Sequence, residues 1–196
     1  MLAPMRFASL LIACLVAHTA TASAHIALTF PTPRTADQKA GPCGAAGSTR
    51  GTQVSTFRPG DTITVEWDET VDHPGHYRIA FDNDGNDGFP NPVQPDDNFP
   101  STLADQIADK SGGHYTQQIT LPNITCTNCT LQLMQVMTTV VPYNSFYFQC
   151  ADLVLSDSAD PTQPPASDGG CAAGSSAGPA ASLAALGLVL RRRRRR

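Results

Sequence analysis

The chain has 196 residues, 41% of them hydrophobic, with 16 prolines, 15 glycines and a formal net charge of −4. That charge hides an asymmetry: seven of the thirteen basic residues are Arg6 and Arg191 to Arg196, so residues 25–170 hold six bases against all seventeen acids, a net charge of −11. A body this acidic excludes nucleic acid and anionic membrane surfaces as partners and suits a metal cation or a neutral polymer.

Taken in chain order, the first element is a secretory signal peptide over 1–24. Arg6 supplies the positive charge, Phe7 to Val16 the apolar core, and Ala22-Ser23-Ala24 the small-residue cleavage pattern. The apolar run is shorter than the ~20 residues a membrane span needs. Cleavage after Ala24 makes His25 the first residue of the mature chain.

Beyond it, Thr62-Ile63-Thr64-Val65-Glu66-Trp67 alternates as a half-buried strand does and follows a Pro59-Gly60-Asp61 turn. Tyr77 to Phe81, Thr116 to Leu121, Thr130 to Met137 and Phe146 to Leu155 read as further strands, and Leu103 to Ala108 as a short helical turn. Short strands between Gly/Pro/Asp loops predict an all-β fold over 25–156, an immunoglobulin-like or fibronectin-like β-sandwich with long loops. Residues 157–170 are rich in Pro, Ser and Asp, with too little apolar content to pack, and predict a disordered linker. In Asp82-Asn83-Asp84-Gly85-Asn86-Asp87-Gly88 the carboxylate spacing invites a calcium reading, but Asp87 stands where an EF-hand loop wants glycine. An Asp/Asn/Gly turn is the default there.

The final segment, 171–196, joins Cys171 to small residues, the apolar run Leu183 to Leu190 and six arginines. It resembles the Cys-containing sorting tags of myxobacterial surface proteins. The resemblance implies processing or lipid attachment at Cys171 by a sorting peptidase, and a protein that is exported and either anchored at the cell surface or secreted.

Cys14 falls in the signal peptide and Cys171 in the tag, which leaves Cys43, Cys126, Cys129 and Cys150 in the body. An even number in an oxidising compartment reads as two disulfides, with three possible pairings. The favoured one joins Cys43 to Cys150 and Cys126 to Cys129. A Cys-x-x-Cys pair also serves redox or zinc sites, but the sequence has no second such pair.

An N-terminal histidine offers a metal two nitrogens from one residue, its α-amine and its ring Nδ1. The amine, with a reference pKa of about 7.7–8.0, gives up its proton readily to a competing metal. A second imidazole completes an all-nitrogen set suited to one copper ion. The residues that follow, His25 to Arg34 and then Lys39-Ala40-Gly41-Pro42-Cys43-Gly44, resemble the opening segment of lytic polysaccharide monooxygenases. Trp67-Asp68-Glu69-Thr70-Val71-Asp72-His73 is similar to the bacterial chitin-active branch, where a strand ending in Trp leads to the second copper histidine. Asn144 to Asp152 looks like the family's final strand, which sets an aromatic ring at the metal's axial face ahead of a disulfide cysteine.

Carried over by position, the resemblance implies His25 and His73 as copper ligands. It also implies Tyr147 as axial residue, with Phe146 as its alternative. His76 competes with His73 for the second position, and His114 reads as an exposed loop residue. The implied function is copper-dependent oxidative cleavage of a chitin-like or cellulose-like polysaccharide, with His25, His73 and Tyr147 as the catalytic set. A monomer would work on the polymer surface with electrons from an external donor. The alternatives are a non-catalytic copper binder or chaperone with the same N-terminal histidine, and a carbohydrate-binding surface module. There is no Gly-x-Ser-x-Gly or His-Glu-x-x-His motif to support a hydrolase.

Overall fold

Eight strands account for the regular structure of residues 25–164, the part of the chain that the computed structural model describes. They are β1 (Ile26–Phe30), β2 (Val54–Phe57), β3 (Thr62–Glu69), β4 (Gly75–Asp82), β5 (Thr102–Ala108), β6 (Gly113–Thr120), β7 (Cys126–Met137) and β8 (Phe146–Leu155). The expected signal peptide with Ala24, the tag with Cys171, and residues 165–170 of the expected linker lie outside the described residues.

The strands form two sheets, β1-β3-β6 and β2-β8-β7-β4-β5, packed as an all-β immunoglobulin-like sandwich. All pairings are antiparallel except β2 with β8. Alternation along β3 turns Ile63, Val65, Trp67 and Glu69 inward and leaves Thr62, Thr64, Glu66 and Asp68 less buried. Ile63, Val65 and Trp67 meet Tyr77, Ile79 and Phe81 of β4, Leu131 and Leu133 of β7 and Leu153 and Leu155 of β8 in one apolar core. Trp67 is stacked on Tyr115 at 5.3 Å and tilted against Tyr77 at 5.1 Å, which fixes the centre of that core.

The five-stranded sheet is buried on its second face too. Met134, Val136, Phe146 and Phe148 form a separate apolar cluster there. The long 31–53 loop is held down by charge: Arg34 pairs with Asp152 of β8 at 2.6 Å and with Asp87 at 2.7 Å. Arg50 donates to the carbonyls of Cys129 and Leu153. These carboxylates hold the Arg34 guanidinium charged despite the opposing effect of its burial. Disulfides join Cys43 to Cys150, with Cα atoms 4.9 Å apart, and Cys126 to Cys129, 5.9 Å apart. Gly44 is required at its turn, because at φ +93° a Cβ would run into the Asp37 carbonyl.

Two expectations need correction. Residues Leu103 to Ala108 are strand β5, not a helical turn. Their apolar residues recur at helical spacing because β5 pairs with β4 through register shifts, and Gln106 adopts φ +54°. That irregularity breaks the two-residue alternation and lets Leu103, Ala104 and Ile107 all reach the core. The domain also runs past 156: residues 157–164, expected as the start of a disordered linker, pack along β2. Thr162 donates its backbone N–H to Thr56 O and accepts from Thr56 N at 2.7 Å, while Arg58 holds the Ala159 carbonyl.

The disulfide between Cys43 and Cys150 closes a long loop, 107 residues in sequence separation. Replacing both cysteines with serine is expected to cost on the order of 3–5 kcal/mol, read as a lowered denaturant midpoint with a steeper slope, because the unfolded chain without the crosslink exposes more surface.

Candidate metal centre

The site is built at the start of β1. Leu28 pairs with Trp67, Ala27 with Asp68 and Ile26 with Glu69, so one edge of β1 is satisfied by β3. On the other edge two glutamine side chains take the place of a strand. Gln38 Oε1 accepts from Ile26 N at 3.1 Å, and Gln149 Oε1 accepts from Leu28 N. His25 is fixed by Thr70 at the end of β3: its nitrogen donates to Thr70 Oγ1 at 2.9 Å, and its carbonyl accepts from Thr70 N at 3.0 Å. Its φ of +117° turns the residue away from the extended course of the strand.

His73 lies in the turn from β3 to β4. Buried Glu69 anchors this turn from below: Oε1 accepts from Gln135 Nε2 at 2.9 Å and from His73 N at 3.4 Å. Its other oxygen accepts from Gly112 N at 2.7 Å and from the Tyr115 hydroxyl at 2.9 Å. Burial pushes the Tyr115 phenol up to about 12, with the Asp109 and Glu69 carboxylates adding to the shift against the opposing Lys110 N–H. Tyr77 is pushed up as well, mainly by burial. Both hydroxyls therefore stay protonated at neutral pH. Glu69, Asp72 and Asp109 each bring one carboxylate oxygen within 4.8 Å of the others. The hydrogen bonds to Glu69 account for this group as the brace of the His73 turn.

Three rings meet above that turn. The His25 and Tyr147 rings are stacked with centroids 3.6 Å apart at 13°. The His73 ring stacks 4.7 Å from His25 and lies parallel to Tyr147 at 6.3 Å. His73 Nε2 is buried without a hydrogen-bond partner, which is costly for a ring nitrogen unless some other group takes it up. Two imidazoles and a phenol are a donor set that fits copper.

The competitors sit elsewhere. His76 is on β4, its Nε2 3.5 Å from Asp105 Oδ1 and 3.3 Å from Gln106 Nε2. Phe146 faces the second apolar cluster with Phe148. His114 is exposed and pairs across strands with Asp68 at 2.9 Å. In the 82–88 loop, Asp84 Oδ1 caps Asn86 N, Asp82 Oδ2 caps Asp87 N, and Asp87 is engaged by Arg34, so the loop is an Asx-type turn tied into the ion network.

Thr70, Gln38, Gln149 and Glu69 support the site; Glu69, Thr70 and Gln149 lie inside the segments that carry the resemblance, which gave them no role. For Glu69 a signal was present, since it continues the inward alternation of Ile63, Val65 and Trp67 with a carboxylate. Gln149 likewise occupies an inward position of β8, between Tyr147 and Ala151.

The fold and this cluster define a class of protein: a β-sandwich in which an imidazole at the head of the first strand stacks on one from the β3–β4 turn, a donor set able to hold a metal. The chain belongs to the copper acquisition factor BIM1-like family, whose model matches residues 23–175, the greater part of its length. Copper is therefore the metal it binds. The match reaches the copper chemistry implied by the sequence resemblance and names no polysaccharide. Neither a curated protein nor a solved structure matches the chain.

Burial is the main cause holding the His76 imidazole below its ordinary value of 6.5; Asp105 opposes it and Arg78 adds to it. The unfolded chain thus binds a proton that the folded one resists, and stability falls as pH drops through about 6.5. His76→Asn is expected to flatten the wild-type loss between pH 7 and 5, a slope of up to about 1.4 kcal/mol per pH unit. Urea titrations of both proteins across that range would read it; equal slopes would count against the assignment.

Proposed function

We propose that this protein is exported to capture a copper ion as cargo, gripping it through the N-terminal His25 together with His73, with Tyr147 covering the site, and that it does so without catalysing a reaction. The observation that carries the reading is the ring stack of His25, His73 and Tyr147 beside the partnerless Nε2 of His73. Family membership supports capture over oxidative cleavage. So does the burial of the single tryptophan, Trp67, within the core, where it is unavailable to dock a polymer.

On this reading, removal of residues 1–24 converts the His25 backbone nitrogen into an amine. Amine and ring of one residue then close a chelate, and Thr70 Oγ1, 2.9 Å from that nitrogen, orients it. Glu69 fixes the His73 backbone so that the ring is presented without rearrangement. Copper supplies no chemistry beyond being held. Residues 171–196 act as the sorting tag, and the copper donor or recipient lies outside the cell membrane.

The test uses the protein secreted by its own host, with the N-terminus sequenced and copper affinity measured by chelator competition. The mature chain is expected to begin at His25. His25→Ala and His73→Ala are each expected to lose more than about a hundredfold in affinity, beyond the roughly 10–100-fold that outer contacts account for. The loaded protein is expected to release no oxidised oligosaccharides from chitin or cellulose with reductant and peroxide. Oxidised products would restore the catalytic reading, and a mature chain starting elsewhere would remove the chelate.

A further inference from the structure

Lys39 bears on the same site, although the Lys39 to Gly44 motif that it opens gave it no role. Its Nζ lies 4.0 Å from the centroid of the Tyr147 ring. The His25 ring lies 3.6 Å from the same centroid and nearly parallel to it. Two groups this close to one centroid occupy opposite faces, so the order through the site is ammonium, phenol, imidazole, and then the His73 ring 4.7 Å beyond.

The lysine side chain is exposed, but its backbone is pinned on both sides. Gln38 accepts from Ile26 N with its side chain and from Phe148 N with its carbonyl. Ala40 and Gly44 exchange backbone hydrogen bonds of 2.8 and 2.7 Å, and Cys43 is bonded to Cys150. The segment that clamps β1 therefore also roots a positively charged side chain whose Nζ lies one ring away from His25. This happens in a body whose bases number six against seventeen acids over residues 25–170. A cation on an aromatic face is itself favourable, by about 0.5–1 kcal/mol at exposed sites.

We propose that Lys39 acts as a charge filter on the metal site, weakening the hold on divalent ions relative to monovalent copper. The inference rests on the His25–His73 reading above. A fixed positive charge opposes cupric copper and zinc by one unit of charge more than it opposes cuprous copper. At a separation on the order of 8 Å in a partly solvated site, one unit of charge changes a binding constant by about threefold to tenfold. Lys39 thus sets which oxidation state is retained, acting through the electrostatics of the site and not as a ligand.

The experiment measures cuprous, cupric and zinc affinities separately on the mature secreted protein, for wild type, Lys39→Met and Lys39→Arg. In Lys39→Met the ratio of cupric to cuprous affinity is expected to rise about threefold to tenfold, with zinc following the cupric ion. Lys39→Arg keeps the charge and is expected to keep the wild-type ratio. The gap between Met and wild type should narrow at high salt, since exposed charges are screened. A merely structural lysine would lower all three affinities together and leave the ratio alone; an unchanged ratio in Lys39→Met overturns the proposal. His25→Ala with undiminished copper affinity overturns the site reading itself, and the inference with it.

Discussion

The structure depends on how the open edge of β1 is closed. A three-stranded sheet with its first strand at the border leaves a row of N–H donors with no ladder partner. Here Gln38, from the loop, and Gln149, from the final strand, supply side-chain carbonyls to Ile26 and Leu28. These contacts tie the small sheet to the large one at the end where the first residue of β1 must be held still. Because Gln149 is flanked on β8 by Phe148 and Cys150, the clamp is coupled to the disulfide and to the Arg34–Asp152 pair two residues further on. The site is thus braced by the disulfide and the ion pair beside it.

A second lock lies under His73. Buried carboxylates are costly unless their oxygens are satisfied, and Glu69 meets that condition with four donors from three parts of the chain, His73, Gly112 with Tyr115, and Gln135. Position rather than charge explains its presence: the carboxylate gathers the β3–β4 turn, the head of β6 and the C-terminal end of β7 around one point. The two histidines therefore approach each other on supports, Thr70 and Glu69, that stand side by side at one end of β3.

Much of this was legible in the sequence because period-two alternation survives in β3 and β6. The fold class followed from that alternation and from the loop chemistry. β2 was not legible: in Val54-Ser55-Thr56-Phe57 the serine points inward and the valine is 37% exposed, the reverse of what hydropathy suggests. β5 misled through its bulge. His25, His73 and Tyr147 could be singled out from position and resemblance, whereas the glutamines, Thr70 and Lys39 could not. Their roles come from contacts between segments more than ten residues and up to 121 residues apart, as with Leu28 and Gln149, and no local pattern records such contacts.

The strip of chain at 157–164 has a consequence of its own. β2 is the border strand of the large sheet and runs parallel to β8, so its outer side is a template on which another polypeptide could add a strand. Thr162 occupies that side by exchanging hydrogen bonds with Thr56. The segment beyond the last strand is thus a built-in guard against sheet-to-sheet association. A protein shortened at Ser156 would be left with a sticky border and a tendency to aggregate.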